Sequence, residues 1–192
     1  MGTRGLNGWV QKGKYYGQYN QFDTYPSGLG NDMVKLAKKI TKEDGWEKFK
    51  ENALKMKRIT KDTLDSKKDA DIIARYIKFF DEQVSTGKVT EPYALFRHLQ
   101  GMGLMEHLYL GNIEHYRDQM DFINDSLFCE YAWFFNLDTM MFEGWKGFQH
   151  EADPSNPFGT TCDNGYYPCK RVVNVPLTKI PRNWAKPFER ED

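Results

Sequence analysis

The start of the chain is rich in residues that favour strands. Aromatic and β-prone residues fill Leu6 to Gln11 and Tyr15 to Phe22, and Lys12-Gly13-Lys14 between them supplies the glycine of a tight reversal. This pattern predicts an opening β-hairpin. The next segment, from Asp23 to Gly30, includes a proline and two glycines, which favour an irregular loop.

The middle of the chain follows a helical period. Apolar residues recur every three or four positions in two successive segments, which predicts two helices with one buried face each. The residues of those faces are Met33, Leu36, Ala37 and Ile40 in the first helix and Trp46, Phe49, Ala53 and Met56 in the second. Further helices are predicted from about Ser66 to Val84, from Tyr93 to Gln100, and from Met105 to Phe122 with an interruption at Gly111.

The last third of the chain returns to strand-like patterns. Leu127 to Phe135 is predicted as a buried strand, Asn136 to Thr139 as a turn and Met140 to Trp145 as the partner strand of a second hairpin. Residues 150–169 are rich in Pro, Gly, Asn and Asp, which predicts a loop. Lys170 to Val175 is predicted as a last strand.

Strands at both ends with helices between them predict an α+β fold. We expect a mainly antiparallel sheet of about five strands, built from the two terminal regions, with a central helical layer from residues 30–122. No linker of shifted composition divides the chain, so residues 1–192 are predicted to form a single domain.

The composition excludes several classes of protein. The 192 residues balance 27 Lys and Arg against 27 Asp and Glu, and the mean hydropathy is −0.74. No run of about 18 apolar residues is present, so a membrane-spanning helix is not expected. The start MGTRGLNGWV lacks the apolar stretch of a secretory signal. These features predict a cytoplasmic protein without a membrane partner.

The zero net charge conceals an asymmetry. Residues 1–90 carry 18 basic and 12 acidic side chains, and the stretch from Lys35 to Lys68 alone has 12 basic residues. Such a stretch could attract a phosphate-rich partner, but no arginine cluster or set of stacking aromatic residues accompanies it. We interpret it as the solvent face of helices, so nucleic acid is not an expected partner.

The cysteines and histidines do not indicate a cofactor. Cys129, Cys162 and Cys169 are too few and odd in number for a disulfide framework, which favours a reducing compartment. The spacing of Cys162 and Cys169 allows a local disulfide but does not match a zinc knuckle. The four histidines form no HExxH or HxH motif, so neither a metal site nor a cofactor is predicted.

The loop after the first hairpin holds the densest unusual chemistry. Asn20 and Asp23 bring an amide and a carboxylate to the end of a strand, and Tyr25 and Ser27 follow in a glycine-rich loop that leads into a helix. The backbone N–H groups of such a loop, and the positive end of the helix, suit a small polar or anionic ligand. In the alternative interpretation, Asn20 and Asp23 bond the loop backbone and only hold the turn.

Glu130 is unusual because it interrupts an apolar strand. Alternation places it on one sheet face with Ala132 and Phe134. A carboxylate at such a position must be paired, exposed at an edge or functional. Arg4, on the opening strand, would be its partner if the two hairpins adjoin. Structural pairing is the favoured interpretation, and both residues belong to the candidate ligand site.

Thr3 supports a hypothesis of a different class. N-terminal nucleophile hydrolases place a Thr, Ser or Cys at the head of their first strand, and the free amine of that residue acts as the base. Thr3 and Arg4 before a hairpin, followed by Asn20 and Asp23, look like that arrangement. An amidohydrolase with Thr3 as nucleophile is therefore the alternative function, and it requires cleavage of the bond between Gly2 and Thr3.

Four segments carry a resemblance that spans nearly the whole chain, namely MGTRGL, YNQFDTYPSGLG, YALFRHLQG and DSLFCEYAWFFNLDTMMFEGWKGF. In this order they resemble a family of small proteins that tailed phages encode and that are also seen in bacteria and fungi. Family members commonly have YNHxDSYPxGLG, so Gln21 stands where a histidine is usual. The resemblance implies a phage-type origin and a compact single domain, with no established reaction.

The favoured hypothesis is a phage-type binding module. It would use the segment from Asn20 to Gly30, with Arg4 and Glu130 nearby, to hold a small polar or anionic ligand or a host protein. A phage setting would give it a role in host takeover or counter-defence, in the cytoplasm of the infected cell. Convergence of Arg4, Asn20, Asp23 and Glu130 on one pocket would favour a site over structural roles alone. A mature chain that begins at Gly2 or Met1 would contradict the amidohydrolase.

Overall fold

The computed structural model describes residues 2–59, 69–81 and 95–189 of the chain. The helices and strands within these residues, in chain order, are β1 (Gly5–Gln11), β2 (Lys14–Asn20), α1 (Asn31–Lys42), α2 (Trp46–Lys55), β3 (Lys57–Ile59), α3 (Ala70–Asp81), α4 (Gly103–Leu110), β4 (His115–Arg117), β5 (Tyr131–Asn136), β6 (Met141–Lys146) and β7 (Lys170–Pro176). Short 3₁₀ turns lie between several of them.

The main sheet joins strands from the two terminal regions in the order β2-β1-β5-β6-β7. β1 pairs antiparallel with β2 and parallel with β5, where Gly5 lies opposite Tyr131. The pairs β5 with β6 and β6 with β7 are antiparallel. The predicted α+β fold with a mainly antiparallel sheet of five strands is therefore confirmed. The parallel pair needs a long crossover, which the helical part of the chain supplies.

One side of the sheet packs against the helices, and we call it the helical face. Trp9, Trp133, Phe135 and Phe142 are fully buried on this side. The apolar stripes of α1 and α2 close over them, because helical spacing brings Met33, Ala37, Ile40, Trp46, Phe49 and Ala53 to the sheet. The helical layer predicted from periodicity thus forms one half of the core.

The other side of the sheet, which we call the loop face, packs against irregular segments. Its buried residues are Leu6, Val10, Ala132, Phe134 and Trp145 from the strands and Ile123, Cys129 and Cys169 from the covering loops. Within β5, Ala132 and Phe134 lie on this face while Trp133 and Phe135 lie on the helical face. This is the alternation that a strand buried on both sides requires.

Trp133 fixes the loop after β2 onto the helical face. Its indole Nε1 donates a hydrogen bond of 2.8 Å to the carbonyl oxygen of Thr24. A Cβ atom at Gly30 would lie 2.8 Å from the indole ring, so only glycine allows the start of α1 to approach this closely. Trp184 and Phe188 of the C-terminal segment cover the same ring, with centroids 5.6 and 5.1 Å away.

The helix predicted from Met105 to Phe122 is wrong beyond Gly111. α4 ends at Leu110, and Gly111 has a φ of 75°, the left-handed conformation that commonly ends a helix. β4 follows and pairs parallel with β3, and Met120–Asn124 then forms a 3₁₀ turn. Neither short strand was predicted, because their pairing is a contact between distant segments that the local pattern does not encode.

The strand predicted from Leu127 to Phe135 begins later than expected. Residues 126–128 form a turn, and the N–H groups of Phe128 and Cys129 both donate to the carbonyl oxygen of Asp125, at 3.1 and 2.7 Å. β5 starts only at Tyr131. The apolar composition therefore predicted too long a strand, because the backbone N–H groups of Phe128 and Cys129 are bonded within the turn and not to a neighbouring strand.

Two further helix predictions lie only partly within the described residues. Of the helix predicted from Ser66 to Val84, the described part is α3, and both predicted ends lie outside. Of the helix predicted from Tyr93 to Gln100, residues 96–99 form a 3₁₀ turn and residues 93–94 lie outside the described part.

The helices expose charge and bury apolar residues. The lysines of α1 are all exposed, Lys35 pairs with Asp32 at 2.8 Å, and Lys50 of α2 pairs with Glu47 at 2.9 Å. Residues 60–68 of the basic stretch lie outside the described part. Pairs of this kind on an exposed helix surface contribute little to stability. None of the described helices is long and apolar enough to span a bilayer.

His115 is a buried histidine in β4 that packs against α3. Its Nδ1 lies 3.0 Å from the hydroxyl of Tyr76, and that hydroxyl accepts a 3.0 Å bond from the backbone N–H of Glu114. The single hydroxyl proton is then directed at Nδ1, which fits a neutral ring that carries its own proton on Nε2. Burial, followed by the charges of Lys57 and Arg75, lowers the pKa of His115.

Stability should fall at mildly acidic pH because the fold keeps His115 neutral. Its pKa in the folded chain lies below the ordinary value of about 6.5, so the unfolded chain binds more protons as the pH falls below that value. We expect the free energy of unfolding, measured by urea titration, to decrease from about pH 7.5 to about pH 5.5.

His115→Asn provides the control, because its Oδ1 accepts from Tyr76 without titrating. The decrease should be smaller in this variant. The remainder is assigned to His98 and His107, whose pKa values burial also lowers. An equal pH dependence in the two proteins would contradict the assignment to His115.

Candidate functional site

A cleft of about 460 Å³ opens where β2 ends, between the loop that follows this strand and the turn at residues 100–102. Asn20, Asp23 and Tyr25 line it, and the exposed ring of Phe22 stands at its edge. The structure thus brings together three of the residues that the sequence singled out. The amide and the carboxylate at the strand end face one cavity.

Two buried asparagines hold the far wall of the cleft. Asn20 Oδ1 accepts a hydrogen bond of 2.6 Å from the N–H of Gly101, and Asn7 Nδ2 donates one of 2.8 Å to the carbonyl oxygen of Gly101. Asn20 Nδ2 also donates to Asn7 Oδ1 at 3.0 Å. Gly101 has a φ of 69°, which glycine adopts without strain. We call these three residues the carboxamide clamp.

The sheet register makes the carboxamide clamp possible. Asn7 lies opposite Gln18, and Asn20 lies opposite Gly5, so the two asparagines are diagonal neighbours across the β1 and β2 pair. Such residues share one face of the sheet and lie within reach of one another. Asn20 therefore does bond loop backbone, but the backbone belongs to the turn at Gly101 rather than to its own loop.

Asp23 is the charged residue of the cleft whose side chain has no partner among the described residues. Its φ is 57°, a left-handed conformation that aspartate tolerates better than most residues. The N–H of Leu29 donates to its carbonyl oxygen at 2.8 Å, and a Cβ at Gly28 would lie 2.4 Å from the same oxygen. The loop closes tightly on the main chain of Asp23 and leaves the carboxylate exposed.

The charged side chains of the cleft are acidic. Asp23 and Asp32 line it, and no lysine or arginine is among the described residues that do so. Asp32 also lies in the first turn of α1, where a carboxylate offsets the positive end of the helix. A positively charged or hydrogen-bond-donating group is therefore favoured in the cleft over an anion.

A wider hollow of about 700 Å³ adjoins the cleft at Asp32 and Met102. Lys35 and Lys39 of α1 line it, together with Glu106 of α4. The hollow thus has mixed charge, in contrast to the cleft.

Ser27 lies outside the cleft. It lines a separate hollow of about 400 Å³, together with Tyr131, Trp184 and Phe188. The loop after β2 therefore has two sides, one with Asn20 and Asp23 and the other with Ser27 against aromatic residues. The structure does not bring Ser27 to the carboxylate and amide with which the sequence grouped it.

Arg4 and Glu130 adjoin each other but do not line the cleft. The N–H of Arg4 donates to Glu130 Oε1 at 3.3 Å, and the N–H of Glu130 donates to the carbonyl oxygen of Arg4 at 3.0 Å. The Arg4 guanidinium instead lies 4.4 Å from the ring centroid of Phe128. The contact between Arg4 and Glu130 is thus a structural pairing that extends the parallel junction of β1 and β5.

Thr3 lies just before β1, and its backbone is used to hold the loop after β2. Its carbonyl oxygen accepts from the N–H of Thr24 at 3.3 Å and from the Thr24 hydroxyl at 2.9 Å. In the described chain the nitrogen of Thr3 is part of the peptide bond with Gly2, whereas the amidohydrolase hypothesis needs it as a free amine.

Glu143 is a fully buried carboxylate that sequence reasoning missed. Its Oε1 accepts from Asn136 Nδ2 at 2.8 Å and Arg171 Nη1 at 3.1 Å, and its Oε2 accepts from the Tyr15 hydroxyl at 2.9 Å and Trp145 Nε1 at 3.1 Å. Burial and the neighbouring carboxylate of Glu143 raise the pKa of Tyr15. Four donors on two oxygens compensate for the loss of water around the charge.

The signal for Glu143 was present in the sequence. It interrupts the apolar run from Met140 to Trp145 as Glu130 interrupts the preceding one. The same argument about a carboxylate in an apolar strand applies to both, and it fits Glu143 better, because Glu130 lies before the start of β5. In the same way Asn7, a polar residue inside the first predicted strand, could have indicated the carboxamide clamp.

Metal ligation finds no support in the described part of the chain, where no three His, Cys, Asp or Glu residues are grouped to hold an ion. Comparison of the chain with protein-family models, curated proteins and solved structures gives no match. Function is therefore inferred from the geometry of the chain itself.

Loss of the carboxamide clamp should destabilise the fold. Asn20→Ala leaves the partly buried N–H of Gly101 and the buried Asn7 Oδ1 without these partners, so we expect the free energy of unfolding to fall by about 2–4 kcal/mol. The amide of Gly101 should also exchange faster with deuterium. The exposed Asn183 provides a control, since Asn183→Ala should change stability by less than about 0.5 kcal/mol. Equal effects of the two substitutions would contradict a structural role for Asn20.

The carboxylates of Glu143, inside β6, and Glu130, just before β5, should differ in their contribution to stability. Glu143→Gln replaces an acceptor of four hydrogen bonds by a group that also donates, so we expect a loss of about 3 kcal/mol or more in chemical denaturation. Glu130→Gln, at a half-buried position with one side-chain bond, should cost less than about 1 kcal/mol. A larger effect at Glu130 than at Glu143 would show that the buried network does not contribute as described.

Proposed function

We propose that the chain is a binding module whose cleft holds a small polar ligand with a cationic or hydrogen-bond-donating planar group. The observation that carries the proposal is the unpaired carboxylate of Asp23 in one preformed cleft with the exposed rings of Phe22 and Tyr25. The volume of about 460 Å³ is in the range of small-molecule sites.

The aromatic rings supply the first part of the recognition. Phe22 is 65% exposed and Tyr25 is 38% exposed, so much of each ring remains open to a ligand. The face of such a ring attracts a cation within about 6 Å, with a gain of about 0.5–2 kcal/mol. A guanidinium or quaternary ammonium group, or the face of a nucleobase, satisfies this requirement.

The carboxylates supply the second part of the recognition. Asp23 has no competing partner among the described residues, and Asp32 is paired only with the exposed Lys35. A bidentate contact between a guanidinium group and a free carboxylate combines charge with two hydrogen bonds. The ligand that best fits both parts is therefore a small molecule with a guanidinium or amidine group.

The geometry of the loop supports an anionic ligand less well. The loop N–H groups that would contact an anion are used within the loop, since Gly28 and Gly30 donate to the carbonyl oxygen of Tyr25 at 3.0 and 3.4 Å and Leu29 donates to Asp23. The start of α1 carries Asp32. The loop donors are thus already used, and the positive end of the helix is offset by a carboxylate.

The carboxamide clamp explains how the cleft is kept open in the absence of ligand. Asn7 and Asn20 hold both backbone groups of Gly101, and Gln100 Oε1 accepts a further bond from the N–H of Gln21 at 3.1 Å. A wall held in this way need not become ordered when a ligand binds, and a preformed site loses less entropy on binding.

The resemblance to the tailed-phage family adds a setting to the proposal. A phage-encoded module of this kind would bind a metabolite or signal of the host cell, as a part of host takeover or counter-defence, in the cytoplasm of the infected cell. The resemblance alone supports this part of the proposal, and the cleft itself only supports the chemical class of the ligand.

The test uses agmatine as a guanidinium probe, choline as a quaternary ammonium probe and inorganic phosphate as an anionic probe. We expect agmatine to raise the unfolding temperature and to bind measurably in isothermal titration calorimetry. Asp23→Asn should weaken this binding by about tenfold or more without changing the stability of the free chain, because the side chain is exposed. Asp163→Asn, an exposed aspartate on the loop after β6, should bind agmatine like the unmodified chain.

The outcomes separate the alternatives. Binding of agmatine or choline that depends on Asp23 supports the proposal. Binding of phosphate without binding of either cation would favour the anionic ligand and contradict the proposal. Equal affinities of the Asp23 and Asp163 variants for agmatine would show that the cation binds elsewhere.

A further inference from the structure

Two buried cysteines meet on the loop face, the face of the sheet opposite the carboxamide clamp. Cys129 and Cys169 are both fully buried in the core cluster of this face. The thiol of Cys169 donates to the carbonyl oxygen of Cys129 at 3.2 Å, and the thiol of Cys129 donates to the carbonyl oxygen of Tyr131 at 3.8 Å. They are 40 positions apart in the sequence.

A single turn anchors both cysteines through their backbones. The N–H of Cys129 donates to the carbonyl oxygen of Asp125 at 2.7 Å, and the N–H of Cys169 donates to that of Ile123 at 3.0 Å. The side chain of Asn156 donates to the carbonyl oxygen of Cys169 at 2.9 Å. The two cysteines are therefore held side by side by hydrogen bonds to their backbones, which do not involve sulfur.

We propose that Cys129 and Cys169 form a reversible disulfide when a peroxide oxidises the folded chain. One sulfur, as it loses its proton, attacks an oxygen of hydrogen peroxide, which breaks the O–O bond, releases water and leaves a sulfenic acid. The second sulfur then attacks the sulfenic sulfur, loses its proton and displaces a second water. The two thiols lose two electrons in total, and one peroxide molecule gains them.

The burial of the thiols determines which oxidant fits. Burial raises the pKa of Cys129, so little thiolate is present and the reaction is slow compared with that of an exposed thiol. A small uncharged oxidant such as hydrogen peroxide can enter where a bulky one cannot. A thiol reductant reduces the disulfide again once local unfolding of the chain exposes it.

The disulfide would cross-link the turn before β5 to the start of β7, two strands that β6 separates in the sheet. Closing a loop of this length restricts the unfolded chain, so the oxidised protein should be the more stable form. The neighbouring Cys162, whose spacing from Cys169 allows a local disulfide, is exposed, whereas Cys169 is buried against Cys129.

The experiment uses the full-length Cys162→Ser chain, so that the exposed thiol can form neither a dimer nor the alternative disulfide. The folded protein is treated with hydrogen peroxide, unfolded in N-ethylmaleimide and weighed by mass spectrometry. We expect no added maleimide on the oxidised chain, two on the reduced chain, and a Cys129 to Cys169 cross-link in the peptide map. The unfolding temperature should rise by about 5–10 °C on oxidation and return with dithiothreitol.

Several results would overturn the proposal. These are two free thiols after peroxide treatment, separate sulfinic acids at the two positions, or a lower unfolding temperature of the oxidised chain. Formation of a Cys162 to Cys169 cross-link in the unmodified chain, with none between Cys129 and Cys169, would also overturn it. The Cys129→Ala variant in the same background provides the negative control, since its single remaining core thiol has no partner for an intramolecular bond.

Discussion

The parallel pairing of β1 with β5 is the contact on which the rest of the molecule depends. It joins two hairpins that lie more than a hundred residues apart, with Gly5 opposite Tyr131, and makes one sheet from them. Two hydrogen bonds continue this junction by one step, one from the Glu130 N–H to the Arg4 carbonyl oxygen and one from the Arg4 N–H to the Glu130 carboxylate. Because β1 becomes a central strand, both of its faces are buried, and the polar Asn7 within it must find partners inside the core.

The cleft follows from that requirement. Asn7 finds its partners in Asn20 and Gly101, so the bonds that satisfy a buried amide also position a wall of the cleft. Trp133, on the strand next to β1, holds the loop on the other side through Thr24. Core packing thus determines the position of both walls, while the side chain of Asp23 keeps no partner among the described residues.

Much of the fold could be predicted from local pattern, and the parts that could not depend on distant contacts. The hairpins and the stripes of α1 and α2 were evident because alternation and helical spacing are local properties. β3 and β4 were missed because each is three residues long and exists only through its pairing with the other. For the site, the chemistry of Asn20 and Asp23 was recognisable, but the opposite wall at Gly101 lies 81 positions away from Asn20. Ser27 was wrongly grouped with Asn20 and Asp23, because it lies on the side of the loop that faces away from the cleft.

The most direct measurement of the central claim is a crystal structure of the chain soaked with a guanidinium compound. We predict that the guanidinium group lies in the cleft within hydrogen-bond distance of the Asp23 carboxylate, beside Phe22 and Tyr25, and that Asn7 and Asn20 keep their bonds to Gly101. Two results would contradict the claim that the carboxamide clamp preforms a cation site. One is a cleft that stays empty while the compound binds elsewhere, and the other is loss of the hydrogen bonds between Gly101 and both asparagines.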